Sequence, residues 1–307
     1  MAFIDVGLGL TELLDVVDIV YWPAVIDAKE EDLKNVESLD VALFFGAVRM
    51  DKHRETAELL REKADVFVSF GTCACFGGTL GLANASEKQE ILQTGYLSAK
   101  STDNPDLVLP GKGSREGDEF PELEQKLQPV GHIVDVDVVV PGCPPPVDSV
   151  VKLIAALKDY RQGKLTGKLT IAEDVSLCDV CDREKPDEIR LEDIVRIHQT
   201  KIDENECFLK QGILCMGPVT RAGCGESCIK GNMPCRGCFG PVPEVDDQGT
   251  KFLTTIATAY RAGEEGEIGE DDLKKLIDNI KDPMGTFYRY SLASSIISRR
   301  YSDIRGE

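Results

Sequence analysis

The stretch LDVALFFGAVRMDKHRETAELLREKADVFVSFG, residues 39–71, holds two apolar runs that flank a polar segment of different periodicity. The runs at 39–45 and 65–71 are short and rich in β-branched and aromatic side chains, which is typical of buried strands. Between them, apolar residues recur at helical spacing over 51–64. A strand, a helix and another strand in this order predict a βαβ unit of a parallel sheet.

Similar segments lie on both sides of this unit. The apolar runs at 17–26 and 133–142 have the composition of further strands, and 147–160 has the pattern of a second helix. The prolines just before 147–160 can lead into a helix, although they could not interrupt one. We therefore expect an α/β domain whose parallel sheet carries helices on both faces.

The rest of the chain lacks this alternation. Residues 86–130 are polar and rich in turn-forming residues, so we expect an insertion or a long loop there. Residues 161–170 have the composition of a junction, and the last part, 248–307, has a helical pattern with an acidic stretch at 263–272. The domains predicted from these changes are 1–164 and 165–307.

The chain of 307 residues carries a formal net charge of −19, from 54 acidic and 35 basic residues. An acidic balance of this size argues against nucleic-acid binding, because contact with phosphate needs a basic face. The sequence has neither an apolar run long enough to cross a bilayer nor a signal peptide, so we expect a cytoplasmic protein without membrane insertion. Thiols stay reduced in that compartment, which makes metal binding the leading interpretation of the eleven cysteines.

Eight of the cysteines fall in a late segment that is rich in glycine and proline. Such a segment cannot bury much apolar surface, so something other than an apolar core must organise it. Eight thiolates divide evenly into two four-ligand sites, and thiolates in such numbers select zinc or iron–sulfur clusters. Spacing alone leaves both open: zinc would indicate a structural module, and clusters would indicate an electron carrier. In chain order they are the C-x-x-C pair Cys178 and Cys181, then Cys207 and Cys215, then Cys224, Cys228, Cys235 and Cys238.

Two earlier cysteines follow predicted strands. Cys73 lies in the glycine-rich turn FGTCACFGG (70–78), and Cys143 lies in VVPGCPPPVD (139–148). Both are expected at the carboxyl edge of the parallel sheet, where such sheets build their sites. Glycine lets the backbone approach a bulky inorganic group, and proline fixes the turn. A lone cysteine there is commonly a packing residue, but two in one sheet, together with eight more, favour clusters.

At this point the motifs become recognisable as a set. GTCACFGG, PGCPPP, the C-x-x-C pair, CFLKQGILCMGPVT and PCRGCFGP together resemble the small, electron-transferring subunit of [NiFe]-hydrogenases, in the same order and over nearly the whole chain. CDREKP and DPMGTFYRYSL resemble the cytoplasmic, methyl-viologen-reducing (non-deazaflavin-reducing) kind found in methanogens and related anaerobes. The resemblance implies a flavodoxin-like domain with a proximal [4Fe-4S] cluster, followed by an irregular, cysteine-rich iron–sulfur domain with medial and distal clusters and a helical C-terminus.

The resemblance also assigns ligands by position. Cys73 and Cys143 match two proximal ligands. Cys228 falls where many relatives have no cysteine and carry a [3Fe-4S] cluster, so a fourth thiolate there implies a [4Fe-4S] cluster of lower potential. The distal ligands are Cys178, Cys181, Cys207 and Cys215, and the medial ligands are Cys224, Cys228, Cys235 and Cys238.

The pattern departs from the family at its start. The family has a C-x-G-C-E motif at the end of a first strand, and this sequence begins where that motif would finish, so we expect both the strand and the motif to be missing. The proximal site is then incomplete: two [4Fe-4S] clusters are expected from the chain as written, and three if the missing cysteines are restored. Cys75 is interpreted as a packed thiol rather than a replacement ligand.

The resemblance implies a role in conduction. Hydrogen would be split at the nickel–iron site of a separate large subunit, and electrons would pass through the clusters to a further iron–sulfur or flavin subunit, with no catalytic residue on this chain. Three alternatives stay open: a zinc-stabilised interaction module, a hydrogen-sensing subunit, and a quinone-reductase-type subunit with a single cluster. The eight late cysteines argue against the last of these.

Overall fold

The computed structural model describes residues 2–7, 14, 17–110, 121–164, 167–261, 274 and 277–298. The chain divides into two compact units, Met1–Ile171 and Ala172–Glu307. The acidic stretch noted at 263–272 lies outside the described residues. Among the helices of the described residues, none has the length and apolar character needed to cross a membrane.

A parallel sheet forms the centre of the first unit. Its four strands are aligned in the order β1 (Leu39–Phe45), β3 (Ala64–Phe70), β5 (Val138–Val140) and β6 (Leu169–Thr170), and every adjacent pair is parallel. Pairing between β1 and β3 runs from Leu39 opposite Ala64 to Phe45 opposite Phe70. The predicted βαβ unit is therefore confirmed. The strands are β1 (Leu39–Phe45), β2 (Val48–Met50), β3 (Ala64–Phe70), β4 (Leu123–Gln128), β5 (Val138–Val140) and β6 (Leu169–Thr170).

Two long helices cover the sheet, as the periodicity predicts. Helix Asp51–Lys63 buries Ala57 in a core cluster that also contains Phe67 of β3, and helix Val147–Arg161 buries Leu153 in a second cluster with Val66. Neighbouring residues of β3 thus face different cores, which explains its uninterrupted apolar composition. The α-helices of this unit are Glu30–Asn35, Asp51–Lys63, Thr72–Phe76, Lys88–Gln93 and Val147–Arg161.

The prediction of a strand at 17–26 is wrong. The chain turns there instead, and the carbonyl oxygen of Trp22 accepts hydrogen bonds from the N–H groups of Val25 and Ile26 at 2.8 and 2.9 Å. Proline at position 23 has no N–H to donate to a ladder. A strand of this kind needs a neighbour to pair with, and none of the described strands pairs with this segment.

Two other boundaries differ from the sequence prediction. Only Val138–Val140 of the run 133–142 forms a strand, because the N–H groups of Ile133 and Val134 bond back to the carbonyl of Val130 in a tight turn. The predicted long loop at 86–130 contains β4, which pairs antiparallel with β2. The two nitrogens Nε and Nη2 of Arg54 hold the carboxylate of Glu124 in β4 at 2.8 and 3.0 Å. The sequence LEQKLQ of β4 is too polar to predict a strand.

The second unit has little regular structure around its cysteines. Its helices are Ser227–Lys230, Gln248–Arg261 and Pro283–Phe287. Phe208, Phe239 and Phe252 are almost fully buried, and the ring of Phe252 packs on that of Phe287 with centroids 5.6 Å apart. The predicted order of structural parts is confirmed for the described residues: an α/β sheet, then an irregular cysteine-rich segment, then a helical end.

Candidate metal centres

Cys73 and Cys143 lie at the carboxyl ends of β3 and β5, in two turns that are joined by hydrogen bonds. The N–H of Thr72 donates to the carbonyl of Gly142 at 2.9 Å, and the N–H of Gly142 donates to Oγ1 of Thr72 at 3.0 Å. Each of these two residues directly precedes one of the cysteines. The reciprocal bonds therefore fix the two cysteine turns against each other.

The pair forms a small site at the surface. Cys73 is partly exposed and Cys143 is exposed. Burial, and after it the charge of Cys143, raises the pKa of the Cys73 thiol. Gly78 adopts φ +60° and passes so close that a Cβ atom there would lie 2.6 Å from Sγ of Cys73. Only glycine combines that backbone conformation with that close approach.

Cys75 lies two residues from Cys73, but its sulfur is turned toward the sheet. Its Sγ lies 3.4 Å from Oγ of Ser69 and donates to the carbonyls of Ser69 and Val140 at 3.4 and 3.5 Å. Burial raises the pKa of this thiol to about 12. These contacts fit a packed, protonated thiol better than a ligand.

A cavity in the second unit gathers the first four late cysteines. Lys185, the second basic residue after the C-x-x-C pair, donates to the carbonyls of both Cys178 and Cys181, at 3.1 Å in the case of Cys181. Burial raises the pKa of Cys178, and it raises that of Cys215 to about 12. The thiol-bearing residues lining the cavity are Cys178, Cys181, Cys207 and Cys215.

The other four late cysteines lie along a loop and one short helix. Burial, and more weakly the nearby Cys238 and Cys224, raises the pKa of Cys235 to about 12. Burial also raises the pKa of Cys224, with Cys228 contributing. Cys228 is exposed on helix Ser227–Lys230, and its carbonyl accepts a hydrogen bond from the N–H of Met233 at 2.8 Å. Cys235 therefore lies near Cys238 and Cys224, and Cys224 lies near Cys228.

These surroundings suit a thiolate-ligated inorganic group. A buried thiol with a raised pKa becomes a thiolate only when a metal replaces its proton. Four thiols together select zinc or an iron–sulfur cluster. The first four late cysteines line one cavity, but within the described ranges no three His, Cys, Asp or Glu side chains stand close enough together to bind one metal ion directly. The cavity of the first quartet also has two basic residues in its lining, Arg183 and Lys185, which oppose the negative charge of such a group.

Sequence reasoning singled out CDREKP only as a family signature and assigned no role to its basic residues. Arg183 is buried and lines the cavity, whereas Lys185 is exposed and binds the two carbonyls. The sequence feature that indicates such a role is the presence of two basic residues within four residues of a C-x-x-C pair in a strongly acidic chain.

Comparison with known proteins shows the family of this chain. Residues 1–157 match the family described as NADH ubiquinone oxidoreductase, 20 Kd subunit. Over 290 residues the chain is 35% identical to a subunit of the F420-non-reducing hydrogenase of Methanothermobacter thermautotrophicus, covering 94% of this chain and 88% of the relative. The chain belongs to the family of this hydrogenase subunit. The predicted resemblance to the small subunits of methanogen-type hydrogenases is confirmed.

A second relative supports the same family. The iron-sulfur subunit of the F420-non-reducing hydrogenase of Archaeoglobus profundus is 33% identical over 315 residues, covering 98% of this chain and 94% of the relative. Among solved structures, a chain of the NAD+-reducing [NiFe]-hydrogenase in the H2-reduced state is similar at 26% identity, with a TM-score of 0.46 over 54% of this chain and 84% of that one. Membership of the F420-non-reducing hydrogenase family rests on the sequence relatives, whose similarity includes the cysteine-rich second unit.

Proposed function

We propose that this chain conducts electrons from hydrogen oxidation on a hydrogenase large subunit to a further redox subunit, through iron–sulfur clusters held by its own cysteines. The observation that carries the proposal is the cavity lined by four thiols and two basic residues in a member of the F420-non-reducing hydrogenase family. Oxidation of one hydrogen molecule yields two protons and two electrons, so the large subunit must dispose of both. This chain would receive only the electrons and not the protons.

The proposal assigns every cysteine except Cys75 to a cluster. Cys73 and Cys143 would be two ligands of an incomplete proximal site in residues 1–164. Residues 165–307 would hold two complete [4Fe-4S] clusters, and a third cluster would form if two further cysteines completed the proximal site. The distal ligands would be Cys178, Cys181, Cys207 and Cys215, and the medial ligands Cys224, Cys228, Cys235 and Cys238.

The protein's own contribution is to fix, bury and charge-balance these thiolates. When bound, a cluster accepts and releases one electron at a time with little movement of its ligands. Burial of Cys215 and Cys235 keeps water from the sulfurs, and Lys185 orders the C-x-x-C loop through both carbonyls. No proton is transferred by these residues, since bound thiolates carry none.

The partners follow from this role. The first is the hydrogenase large subunit that carries the nickel–iron site, and the second is an electron-accepting iron–sulfur or flavin subunit. A cytoplasmic location suits a chain whose eleven cysteines all need to stay reduced, ten of them as proposed ligands and Cys75 as a packed thiol. The strongly acidic composition disfavours a nucleic-acid partner.

The test is the metal content and spectrum of the chain made together with its large subunit and purified without oxygen. We expect iron in small excess over acid-labile sulfide, because the nickel–iron site of the large subunit adds iron without sulfide, and EPR signals of two [4Fe-4S] clusters after reduction with hydrogen. The double variant C178S/C207S should lose one of these signals and keep the other. Zinc without sulfide would overturn the proposal in favour of a structural module.

A further inference from the structure

Arg183 is a buried arginine whose surroundings hold it in one position. Its side chain is only 6% exposed, and its guanidinium carbon lies 3.9 Å from the centroid of the Phe208 ring. Nη1 donates to the carbonyls of Asp203 and Glu206 at 2.8 and 2.9 Å, and Nη2 donates to Oδ1 of Asn232 at 2.6 Å. The segment that precedes Cys207 and the loop between Cys228 and Cys235 are thereby tied to one side chain.

The remaining nitrogen of this guanidinium has no partner. Nε of Arg183 is buried and has no hydrogen-bond acceptor among the described residues. Leaving a buried N–H unpaired is costly, so such groups in folded proteins nearly always have an acceptor. Arg183 lines the cavity that holds four thiols, so the missing acceptor is expected there.

The charge of Arg183 is likewise uncompensated by the protein. Its three acceptors are two backbone carbonyls and one amide oxygen, all of them neutral. In the part of the chain that the structure describes, no ion pair involves Arg183. A buried cation normally has an opposite charge nearby. A group ligated by four thiolates carries that negative charge, and zinc or an iron–sulfur cluster in the cavity would supply it.

We infer that Arg183 is a positioning residue that sets the reduction potential of the cluster held by Cys178, Cys181, Cys207 and Cys215, by donating its Nε–H to a sulfur of that site. The inference rests on the proposed function. Reduction adds one electron to the cluster, and a nearby positive charge and hydrogen bonds to sulfur stabilise the more negative state. The potential of this cluster is therefore higher than its ligands alone would give, which favours electron transfer into it.

The experiment compares R183M and R183K in the complete complex by EPR-monitored redox titration. R183M keeps an unbranched side chain that reaches as far as the Nε position, but it removes the charge and every donor. We expect one cluster to titrate at a more negative potential in R183M while the other keeps its wild-type value. R183K keeps the charge and lacks the planar Nε donor, so it should shift the same cluster by a smaller amount with full iron content.

K185M is the matched control. Lys185 is a second cation in the lining of the same cavity, but it is exposed, and its amino group bonds to the backbone carbonyls of Cys178 and Cys181. Its removal should shift the potential less than R183M does, because solvent screens its charge. A shift as large as that of R183M would overturn the specific role of Arg183.

The outcomes separate this inference from the proposed function. Wild-type complex without iron and sulfide would end both. Wild-type complex with two clusters whose potentials stay unchanged in R183M would end only the role of Arg183. If R183M does not retain its clusters, R183K decides: an unchanged potential overturns the inference, and a negative shift of one cluster supports it.

Discussion

The backbone N–H of Cys235 donates a hydrogen bond to Sγ of Cys215 across 3.3 Å, although the two cysteines belong to different quartets. The N–H of Met216 returns a bond to the carbonyl of Cys235 at 3.0 Å. Both cysteines are buried. This reciprocal pair joins the two quartets through a few bonds, and it offers electrons a hydrogen-bonded route between the clusters proposed for them.

Substitution of Gly237 tests this junction. A Cβ at Gly237 would lie 2.9 Å from Sδ of the buried Met216, so G237A should displace the Met216 side chain and disturb the packing beside its backbone bond to Cys235. G225A is the control, since both glycines have positive φ but nothing lies within 4 Å of a Cβ at Gly225. We expect G225A to lose about 1–2 kcal/mol from backbone strain alone, and G237A to lose more in thermal or denaturant unfolding. Equal losses would contradict the packing argument.

The proposed ligand set makes Cys228 the residue that determines the type of the medial cluster. It is exposed, so C228S should fold normally while removing one thiolate. We expect a [3Fe-4S] cluster in place of a [4Fe-4S] cluster, with a higher potential because one negative ligand is gone. EPR of the oxidised protein and the ratio of iron to protein measure both effects. S227A, at the adjacent exposed position, should leave them unchanged. A C228S protein with wild-type iron content and spectrum would remove Cys228 from the ligands.

Strong periodicity made much of the first unit predictable. Each of its main elements has a single apolar pattern, and burial of that pattern is compatible with few other secondary structures. These elements are the helices over 51–63 and 147–161 and the strands β1 and β3. By contrast, the segment 17–26 has a strand composition without a strand partner, and pairing depends on a neighbour that local sequence does not specify. β4 has a strand partner but no strand composition, because its polar residues face solvent or form ion pairs.

The family resemblance assigns Cys178, Cys181, Cys207 and Cys215 to one site, and this ligand set stays a prediction. In the structure the four residues line one cavity, but their spacing does not indicate which other residues surround them. The burial of Arg183 could not be foreseen, since arginine is mostly exposed unless paired and its partners come from segments 20 to 49 residues away. Composition gives no sign of such long-range contacts.

Cys75 should prove to be a structural thiol. Its sulfur bonds within the sheet to Ser69 and Val140, so C75A should lose about 1 kcal/mol of unfolding free energy and leave iron and sulfide per chain unchanged. C75S restores a donor of similar size and should recover part of the lost stability. Elemental analysis and denaturant unfolding of the anaerobic protein measure the two quantities. Loss of iron in both variants would make Cys75 a ligand.

Tyr288 should make the protein sensitive to alkaline pH. The side chain is 4% exposed, and its hydroxyl lies 3.0 Å from Oγ1 of Thr250. Burial is the main cause that raises the pKa of Tyr288 above its ordinary value of 10.0, and the charge of Asp247 adds to it. In the folded protein the phenol therefore keeps its proton at pH values where the unfolded chain has lost it.

The sign of the pH effect follows from that difference. The stabilisation from Tyr288 is fully present below the unfolded pKa near 10, and it falls as the pH rises from there through the folded pKa. Y288F loses the bond to Thr250, so it should be less stable than wild type by about 1 kcal/mol near neutral pH. Because phenylalanine does not ionise, this gap should narrow above pH 10, as measured by thermal unfolding of both proteins across the alkaline range. A gap that stays constant would show that Tyr288 ionises equally in both states.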